Sequence, residues 1–498
     1  MYSNEFRKAI DFIEKSRRFN INYQHSFLNS KEKEDLLKKF HPDFQNEHFK
    51  TLTKGENKGE KLPAELVNRL EATSNIDYSN INLNKPDFDV DVLIIGGGGA
   101  GLASAIEAYN YNANVMLVTK YKLGDSNTLM AKGGIQATVN SKDTIYDHFI
   151  DSYGGGRFSS NKDLLIELVS NGPTAINWLI NLGVNFDKDE NGDFLISSGG
   201  GTSKNRLLSA KDITGAEIMR VLKHKAQNIN IQILENIEVV ELLLNEENKA
   251  SGAIFKNRIT NELFLCRAKT IILATGGSGS LNFQGFPTSN FKGSTADGLR
   301  LAYRVGARLI EASSFQYHPT GAAYFESIRG SLITEKARSL GAKLVNSKGE
   351  IFINPLETRD VLTASILRQC KNAGNIYEVW LDIPMIDIIH GKGTIISQLP
   401  ALYKTYKNIG IDIQKELILV YPTLHYQNGG LKISKNCMTN VDNLYAAGEI
   451  TGGIHGKNRL MGNSLLDIIV FGRIAGKNAA IKSKNIKLSK LSIKSIKN

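Results

Sequence analysis

Residues 88–120 read FDVDVLIIGGGGAGLASAIEAYNYNANVMLVTK, and this stretch decides the fold. An apolar run, a glycine cluster, an alanine-rich helical segment and a second apolar run together predict one βαβ unit. Gly96, Gly98 and Gly101 fit the G-x-G-x-x-G pattern, which makes a tight turn, admits a pyrophosphate and packs the helix closely on the strand. Because a helix N-terminus attracts phosphate, the stretch predicts a dinucleotide-binding domain.

Two later segments support this prediction. TIILATGG at 270–277 is a buried strand that ends in glycines, so it can return the chain to a cofactor. LYAAGEI at 444–450 delivers Glu449 to a glycine turn, where an acid can bind a ribose. A helix that opens at Gly462-Asn463-Ser464 can aim backbone N–H groups at a flavin ring. The second strand departs from the pattern, since it ends in Thr119-Lys120 where an acid is usual.

Length and composition narrow the class of protein. A chain of 498 residues predicts two or three domains. No run approaches the ~18–20 apolar residues of a membrane span, and the N-terminus lacks the apolar core of a secretion signal. The three cysteines are far apart, which argues against disulfides and against an iron–sulfur cluster held by this chain alone. We therefore expect a cytoplasmic protein, peripheral to the membrane only if a partner holds it there, with no metal site.

The net charge of the chain does not identify its binding partners. The net charge of +11 is typical of a surface that uses lysine in place of arginine, although the lysine-rich tail could also contact an acidic partner or a membrane surface. No aromatic residues are interleaved with the basic ones, so no nucleic-acid binding is predicted.

Several polar groups outside the glycine turns are candidates for a substrate site. His318 lies in Tyr-His-Pro-Thr-Gly, a turn that fixes its direction, and His425 precedes another glycine-rich segment. Thr334 and Glu335 precede Arg338. Arg459 lies beside the predicted flavin-binding turn, and a buried guanidinium suits a carboxylate. Each residue alone could be structural, but together they suit a dicarboxylate.

These segments bring a resemblance to a known family. The chain resembles the flavoprotein subunit of succinate dehydrogenase and fumarate reductase, with L-aspartate oxidase as a close relative. The matching segments, in order, are GGGGAG, TLMAKGGIQA, TADGLRLAYRVGA, FQYHPTG, LITEKAR, TRDV, HYQNGGL, LYAAGEI and HGKNRLMGNSLLDIIVFGRIAG. In this family Ser or Thr followed by Lys is usual after the second strand, which accounts for Thr119-Lys120.

The resemblance implies an α/β fold: a two-dinucleotide-binding, Rossmann-like FAD domain with an inserted α+β capping domain. The implied bounds are 88–277 and 396–476 for the two parts of the FAD domain and 278–395 for the cap. An N-terminal helical extension (1–87) and a basic C-terminal tail (477–498) complete the chain. The cofactor is expected to be FAD, bound at the following residues: Gly96, Gly98, Gly99, Ala100, Gly101, Thr119, Lys120, Asn127, Thr128, Gly133, Gly134, Ala274, Thr275, Gly276, Asp297, Glu449, Ser464 and Leu465.

The resemblance also implies the chemistry. Hydride passes from flavin N5 to one olefinic carbon of fumarate while Arg359 protonates the other, although a free guanidinium is a very poor acid. The substrate-binding residues are expected to be His318, Thr334, Glu335, Arg338, His425 and Arg459. Asn127 stands where membrane-bound members carry the histidine that bonds covalently to FAD, so we expect non-covalent FAD. The absence of the covalent bond favours reduction, or oxidation of an easier substrate than succinate.

Three departures from the family keep alternatives open. Leu340 stands where the family carries a glutamate that relays protons to the catalytic arginine, which alters the relay or the substrate. Gly199 stands where aspartate oxidases carry an acid, and fumarate reductases an aromatic residue. The C-terminal helical domain that supports docking of an iron–sulfur partner is missing, so the electron donor is open. The alternatives to a reductase of fumarate or a related unsaturated dicarboxylate are an L-aspartate oxidase and a non-catalytic flavin-binding electron-transfer subunit.

Overall fold

The computed structural model describes residues 2–73, 77 and 81–492 of the chain. The helices, in chain order, are α1 (Asn4–Asn20), α2 (Ser30–Phe40), α3 (Ala64–Leu70), α4 (Gly99–Asn110), α5 (Asn127–Met130), α6 (Ile145–Gly155), α7 (Lys162–Ser170), α8 (Gly172–Leu182), α9 (Thr214–Asn228), α10 (Asp297–Arg304), α11 (Lys336–Ser339), α12 (Arg359–Ala373), α13 (Met385–His390), α14 (Thr394–Gln398), α15 (Pro400–Asn408) and α16 (Asn463–Ser483). Short 3₁₀ helices lie at Pro42–Phe44, Asn46–His48, Phe283–Gly285 and Glu326–Ile328.

The strands, in chain order, are β1 (Phe49–Thr51), β2 (Lys61–Pro63), β3 (Phe88–Ile95), β4 (Val115–Thr119), β5 (Ile135–Gln136), β6 (Ile196–Ser197), β7 (Leu207–Leu208), β8 (Gln232–Glu235), β9 (Ile237–Leu244), β10 (Ala250–Asn257), β11 (Leu263–Leu273), β12 (Leu309–Ile310), β13 (Phe315–Ala322), β14 (Lys343–Asn346), β15 (Val379–Asp382), β16 (Ile418–Gln427), β17 (Gly430–Lys432), β18 (Leu444–Ala446) and β19 (Thr451–Gly452). They form five sheets among the described residues.

The central sheet has the order β8-β4-β3-β11-β10-β9, with β18 paired to β11. Its β8, β4, β3, β11 and β18 strands run parallel, and β9 and β10 form an antiparallel extension at the β11 edge. Every residue of β4 is buried, as expected for a parallel strand covered on both faces. The predicted βαβ unit is thus confirmed as β3–α4–β4, and the α/β class is as predicted.

Two helices pack closely against one another beside this sheet. A Cβ atom on Gly476 of α16 would lie 2.3 Å from the Ser104 carbonyl oxygen of α4. The Ser104 hydroxyl donates a hydrogen bond to the Gly472 carbonyl at 2.8 Å. The C-terminal segment therefore packs on the first glycine-turn helix, which brings the residues just before α16 to the same end of the sheet.

A second core lies around the four-stranded antiparallel sheet β13-β16-β15-β14 and helix α12. We call it the small core and the core of the central sheet the large core. Trp380 is its largest fully buried side chain. The small core includes β16, which follows the predicted cap boundary at 395, whereas α10, inside the predicted range 278–395, packs in the large core. Each core therefore draws residues from both sides of the predicted domain boundaries.

The N-terminal segment spans both cores. Tyr2, Ile13, Leu36 and Leu37 from its first part are buried in the small core. The second part contains the two-stranded sheet β1-β2 and helix α3, which pack on the large core. The segment was predicted to be helical, so the short sheet is an addition, and the residues around 74–80 lie largely outside the described ones.

The last described residues pack against the central sheet and its core. Helix α16 continues to Ser483, inside the range 477–498 predicted to be a basic tail. Leu491 is buried in a small cluster against β9, β10 and β11, and the Ser492 N–H donates to the Leu244 carbonyl at 2.9 Å. Within residues 2–73, 77 and 81–492, no helix is both long and apolar enough to cross a membrane.

Candidate active site

A cavity of about 500 Å³ opens at the carboxyl ends of β3, β4 and β11. This edge is where open parallel sheets bind ligands, because the strands end there and the loops diverge. Most of the residues predicted to bind the cofactor line it: Gly96, Gly98, Gly99, Ala100, Thr119, Lys120, Asn127, Thr128, Ala274, Thr275, Gly276, Asp297, Glu449, Ser464 and Leu465. His425 and Arg459, predicted to bind substrate, line the same cavity.

The glycine turn after β3 has the shape that the motif requires. Gly96 has φ of +121°, and a Cβ there would lie 2.2 Å from the Ala274 carbonyl oxygen. A Cβ on Gly101 would lie 1.8 Å from the Gly96 carbonyl oxygen, so Gly101 serves close packing and does not line the cavity. Gly98 precedes α4 without a side-chain cap, which leaves the helix N-terminus open to a phosphate group.

Two other predicted cofactor residues lie apart from the cavity. A Cβ on Gly133 would lie 3.0 Å from the sulfur of Met461, and one on Gly134 would lie 2.6 Å from the Leu208 carbonyl oxygen. These glycines therefore allow the chain to approach its own neighbours.

Asp297 forms one end of the cavity with a partner that sequence reasoning missed. Its carboxylate accepts hydrogen bonds from Lys120, from the Thr295 hydroxyl and from Arg69 of the N-terminal segment. Burial raises the pKa of Asp297, but the charges of Lys120 and Arg69 hold it below its ordinary value overall. Arg69 lies outside the family-like region, so no motif could have pointed to it.

Asn127 faces Glu449 across the cavity wall. The Asn127 side-chain amide donates to Glu449 Oε2 at 3.0 Å and to Asn290 Oδ1 at 2.8 Å. Its own carbonyl oxygen accepts from the Phe291 N–H at 2.6 Å. Burial raises the pKa of Glu449, which is 8% exposed. The Asn127 amide and the Glu449 carboxyl group, whose pKa is raised, therefore lie together in the wall where the ribose and the flavin are expected to bind.

The predicted substrate residues lie close to His425 and Arg459 of the cavity wall, and we call this part of the site the substrate end. The rings of His318 and His425 lie 5.3 Å apart. Arg359 Nη1 and Arg459 Nη2 each donate to the same oxygen, Gln316 Oε1, at 2.9 Å. Four of these five side chains are buried, and His425 is half-buried at the cavity wall. The two arginines and the two histidines that the resemblance singled out are therefore neighbours in space, although up to 141 positions separate them.

Gln316 lies between Arg359 and Arg459, and sequence reasoning missed it. It lies two residues before His318 on β13, so both side chains point to the same face of the strand. Its amide nitrogen donates to Asn458 Oδ1 at 3.0 Å and to the Arg459 carbonyl at 2.6 Å. Its fixed orientation leaves the oxygen toward the two guanidinium groups. The period of two along FQYHPTG was the signal that could have found it.

Glu335 contacts two arginines of the site. Its Oε2 accepts from Arg359 Nε at 2.9 Å and lies 3.4 Å from Arg338 Nη2, while Oε1 accepts from the Gly200 N–H at 2.7 Å. Burial raises the pKa of Glu335, but the Arg359 and Arg338 charges hold it below its ordinary value. An ionised carboxylate here pairs with arginines and would repel a dicarboxylate. Glu335 is therefore better placed to support Arg359 than to bind substrate.

Leu340 and Arg338 lie behind Glu335. Leu340 packs against the small core, and its carbonyl oxygen accepts from His390 Nε2 at 3.1 Å. Arg338 Nη1 donates to the Pro355 carbonyl. The carboxylate that contacts Arg359 is Glu335, whereas position 340, where the family carries its relaying glutamate, holds a leucine that packs on the small core. Thr334, 1% exposed, lies beside it on the same segment.

The electrostatics of this end favour an anion. Burial lowers the pKa of Arg338 to about 10, and burial together with the Arg359 charge lowers that of Arg459 to about 9. Burial and the charge of Arg359 lower the pKa of His318 and His425 far below the usual range, so both rings are neutral. His318 Nε2 and Arg459 Nε are buried without a hydrogen-bond partner among the described residues. Unsatisfied groups in a positive, desolvated site suit a carboxylate ligand.

A glycine turn that suits a pyrophosphate, a cavity lined by Asp297 and Glu449, and an adjoining arginine–histidine site are the features expected of a flavin-dependent oxidoreductase. Comparison with known proteins agrees. Residues 91–465 match the family described as FAD binding domain. The chain belongs to the FAD-dependent oxidoreductases that include the flavoproteins of fumarate reductase and succinate dehydrogenase and L-aspartate oxidase. Its cofactor is FAD, as predicted.

Three relatives illustrate the range of the family. An uncharacterised FAD-dependent oxidoreductase of Methanocaldococcus jannaschii is 40% identical over 74% of this chain and 68% of its own length. One component of the fumarate reductase (CoM/CoB) of Methanothermobacter marburgensis is 35% identical over 71% of this chain and 65% of its own. An L-aspartate oxidase of Clostridium acetobutylicum is 36% identical over 73% and 82%, respectively.

Solved structures show the same fold. FrdA of the quinol fumarate reductase of E. coli superposes with a TM-score of 0.75 at 29% identity, over 82% of this chain and 72% of that one. The Mycobacterium smegmatis Sdh1 complex gives a TM-score of 0.71 at 33% identity, over 82% and 71%. The predicted fold class is therefore confirmed.

Proposed function

We propose that the protein reduces fumarate or a related unsaturated dicarboxylate. The observation that carries this proposal is the convergence of Arg359 and Arg459 on one oxygen of Gln316, beside two neutral histidines at the end of the cofactor cavity. Among the described residues, Arg459 donates only to neutral oxygens, and Arg359 and Arg338 share the single carboxylate of Glu335, so the three guanidinium groups retain net positive charge for an anion. A substrate with two carboxylates can satisfy both the arginines and the unpaired imidazole nitrogen of His318.

The polar side chains form two groups, one for each carboxylate of the substrate. Arg459 and His425 line the cavity and can bind one carboxylate, while His318 and Thr334 can bind the other. Because the site is buried, these interactions are stronger than in water, and they are fixed before the reaction begins. Binding energy at both carboxylates can then twist and polarise the double bond between them.

Arg359 is the proposed proton donor. When bound and reduced, FAD supplies the hydride for one olefinic carbon. Arg359 gives a proton to the other carbon, so hydride plus proton saturate the double bond. Glu335 contacts both Arg359 and Arg338, which gives a route by which Arg359 regains the proton. Through this route Glu335 and Arg338 support the chemistry and do not bind substrate.

A direct experiment tests the function. The flavin of the purified protein is reduced under anaerobic conditions, and fumarate is added while the flavin absorbance is followed. Rapid reoxidation supports the reductase. The Arg359→Ala variant should retain FAD and lose reoxidation, whereas Arg220→Ala, which removes an exposed guanidinium paired with Glu217, should behave like the wild type. Turnover by Arg359→Ala would show that another group donates the proton.

L-aspartate oxidase is the second candidate, because relatives with that name are as similar as the fumarate reductase component. The site argues against it at one position, since Gly199 offers no acid for a substrate ammonium group. The Gly199 N–H instead bonds Thr202 Oγ1 at 3.0 Å, and the next residue, Gly200, bonds Glu335. Hydrogen peroxide formed from L-aspartate and oxygen would favour the oxidase. No response to fumarate, aspartate or other enoates would favour the third alternative, a non-catalytic flavin-binding electron-transfer subunit.

We further propose that a separate protein, iron–sulfur or other, delivers electrons. One relative is named as part of a multi-component reductase, and one solved structure is named as a complex, which is consistent with such a donor. In the described residues, no group of three or more Cys, His, Asp or Glu residues could hold a metal ion, and the three cysteines are free and buried. Co-purification with a redox protein that reduces the bound flavin would support this.

A further inference from the structure

The N-terminal segment reaches the back of the proposed active site. Asp43 Oδ2 accepts a hydrogen bond from the Phe315 N–H at 3.2 Å, and the His41 ring packs edge-on against Tyr317 at 5.9 Å. Phe315 and Tyr317 flank Gln316 on β13 and point to the opposite face from it. The segment therefore supports, from behind, the strand whose Gln316 holds Arg359 and Arg459.

Arg157 connects this support to the helix that begins with Arg359. Its Nε donates to Asp360 Oδ2 at 2.8 Å, and its guanidinium lies 5.5 Å from the centre of the Phe44 ring. Asp360 is 5% exposed and lies in the first turn of α12, next to Arg359. Arg157 adopts φ of +57°, an uncommon conformation for a residue with a side chain. A strained, ion-paired residue is thus attached directly to the start of the helix that carries the proton donor.

The loop that carries Arg157 also contacts the segment that carries Arg459. The Gly155 carbonyl accepts from Asn458 Nδ2 at 3.0 Å, and the Gly156 carbonyl accepts from the Lys457 N–H at 3.1 Å. Ser159 Oγ accepts from the same Lys457 N–H at 2.9 Å. One loop of the large core is therefore bonded to both arginine-bearing segments.

We propose that His41, Asp43, Phe44, Arg157 and Asp360 form a positioning brace that fixes Arg359 and Gln316 relative to the cofactor cavity. The inference rests on the proposed function, because it takes Arg359 as the proton donor. The brace contacts β13 and the first turn of α12, and it acts on the substrate end through these two elements. A misplacement of about 1 Å at a reacting group can cost about 10²-fold in rate, which is why such support matters.

The brace is anchored at both ends. Ahead of it, Lys33 pairs with Glu357 at 2.8 Å, and the Leu28 N–H bonds the same carboxylate at 2.7 Å. Behind it, Asn57 exchanges hydrogen bonds with the Leu309 backbone on the large core. Because the segment is held by both cores, residues 41–44 are fixed where they cross from one to the other.

The test uses four variants of the full-length, FAD-loaded protein. Asp43→Ala removes the acceptor for Phe315, whereas Asp43→Asn retains an oxygen that can accept the same bond. Arg157→Gln removes the ion pair with Asp360. Arg17→Gln is the matched control, because it removes another ion pair of the N-terminal segment, to Asp382 of β15 at 2.9 Å, outside the brace.

We expect Asp43→Ala and Arg157→Gln to lower kcat for fumarate reduction about 10- to 100-fold, with FAD content unchanged and KM changed less than kcat. Asp43→Asn should recover most of the activity, and Arg17→Gln should keep the wild-type kcat while losing thermal stability. Equal kcat in Arg157→Gln and Arg17→Gln would overturn the brace. So would equal losses in all four variants, because they would reveal a purely structural role.

Hydrogen exchange separates failure of the brace from failure of the proposed function. Amides in 315–318 and 359–362 should exchange faster in Asp43→Ala and Arg157→Gln than in the wild type and Arg17→Gln, whatever the substrate is. If the wild type does not reduce fumarate but this pattern holds, the proposed function fails and the brace stands. Unchanged exchange in both variants would refute the brace.

Discussion

At the residue scale, Asn127 lies in the wall of the cofactor cavity. Its amide donates to Glu449, Asn290 and Ser294 in the cavity wall. A carboxamide nitrogen is a poor nucleophile and is already engaged in these bonds. Nothing in its chemistry provides a covalent bond to a flavin, in contrast to an imidazole at the same position.

We therefore predict that FAD is held without a covalent bond. Acid precipitation of the purified protein should release the yellow colour into the supernatant and leave a colourless pellet. Mass spectrometry of the redissolved chain should give the mass of the polypeptide alone. Colour that stays with the pellet would contradict this prediction.

Glu335 makes a second residue-scale prediction, because it is the carboxylate between Arg359 and Arg338. Glu335→Gln removes the charge and the proton-carrying group while keeping the size of the side chain. General acid–base groups contribute typically 10²–10⁴-fold, so we expect kcat to fall about 10²-fold or more with FAD still bound. Steady-state fumarate reduction across about pH 6–9 measures this.

The control for Glu335 is Leu340→Ala, at the position where the family comparison placed the relay. Leu340 packs on the small core, and its aliphatic side chain has no proton to pass to Arg359. We expect its kcat to match the wild type while its melting temperature falls. A large loss of kcat in Leu340→Ala with little loss in Glu335→Gln would restore position 340 to the relay.

At the scale of elements, the short segment after α2 buries His41. Burial lowers the pKa of His41 to about 3, with the charge of Arg157 adding to the effect and that of Asp360 opposing it. Its Nδ1 accepts from the Asp43 N–H at 3.3 Å, and Nε2 is buried with no hydrogen-bond partner in the described part of the chain. The neutral ring is therefore the form that the folded protein accommodates.

This predicts a loss of stability on acidification. Since the folded pKa lies below the ordinary 6.5, the contribution of His41 is complete above pH 6.5 and is lost as the pH falls toward 3. At about pH 5 the loss from this group is about 2 kcal/mol in the free energy of unfolding. The difference in that free energy between wild type and His41→Asn should therefore shrink between about pH 7 and about pH 5.

Denaturant titrations at the two pH values measure the effect of His41. His224→Asn, on the exposed face of α9, is the control for the His-to-Asn substitution itself. A His41→Asn difference that is independent of pH would mean that His41 is charged or solvated in the folded protein.

At the scale of the whole molecule, the cofactor cavity is lined by segments that are far apart in the sequence. Its lining comes from β3, β4, β11, the loops before α10 and α16, and the turn that carries Ser327 and Arg329. A ligand that contacts all of these can bind only when they are assembled. Occupancy of the cavity should therefore stabilise the complete fold.

We predict that removal of FAD lowers the melting temperature and that its return restores it. At a free FAD concentration about 100 times Kd, the gain in free energy of unfolding is about 2.7 kcal/mol. Riboflavin, which lacks the pyrophosphate that the Gly96–Gly101 turn is expected to bind, should restore less. Differential scanning calorimetry of the protein without FAD and after FAD is added back measures this. Equal melting temperatures of the two samples would contradict the prediction.

Much of the fold and part of the site could be predicted from the sequence. The β3–α4–β4 unit follows from local patterns, because a glycine turn between buried apolar runs has few alternatives. The ordered motifs also pointed to His318, Arg359, His425 and Arg459, which the structure brings together. The period of two along β13 contained Gln316, but its role depended on two arginines far away in sequence.

The class of fold, the cofactor and the residue types at the site could be predicted because each depends on short segments with strong local constraints. The contacts between distant groups could not: Glu335 with Arg359, Arg69 with Asp297, and the N-terminal segment with the back of β13. The physical reason is that ion pairs and buried hydrogen bonds depend on distance in space. That distance is set by the packing of the two cores and cannot be read from the number of residues between the groups.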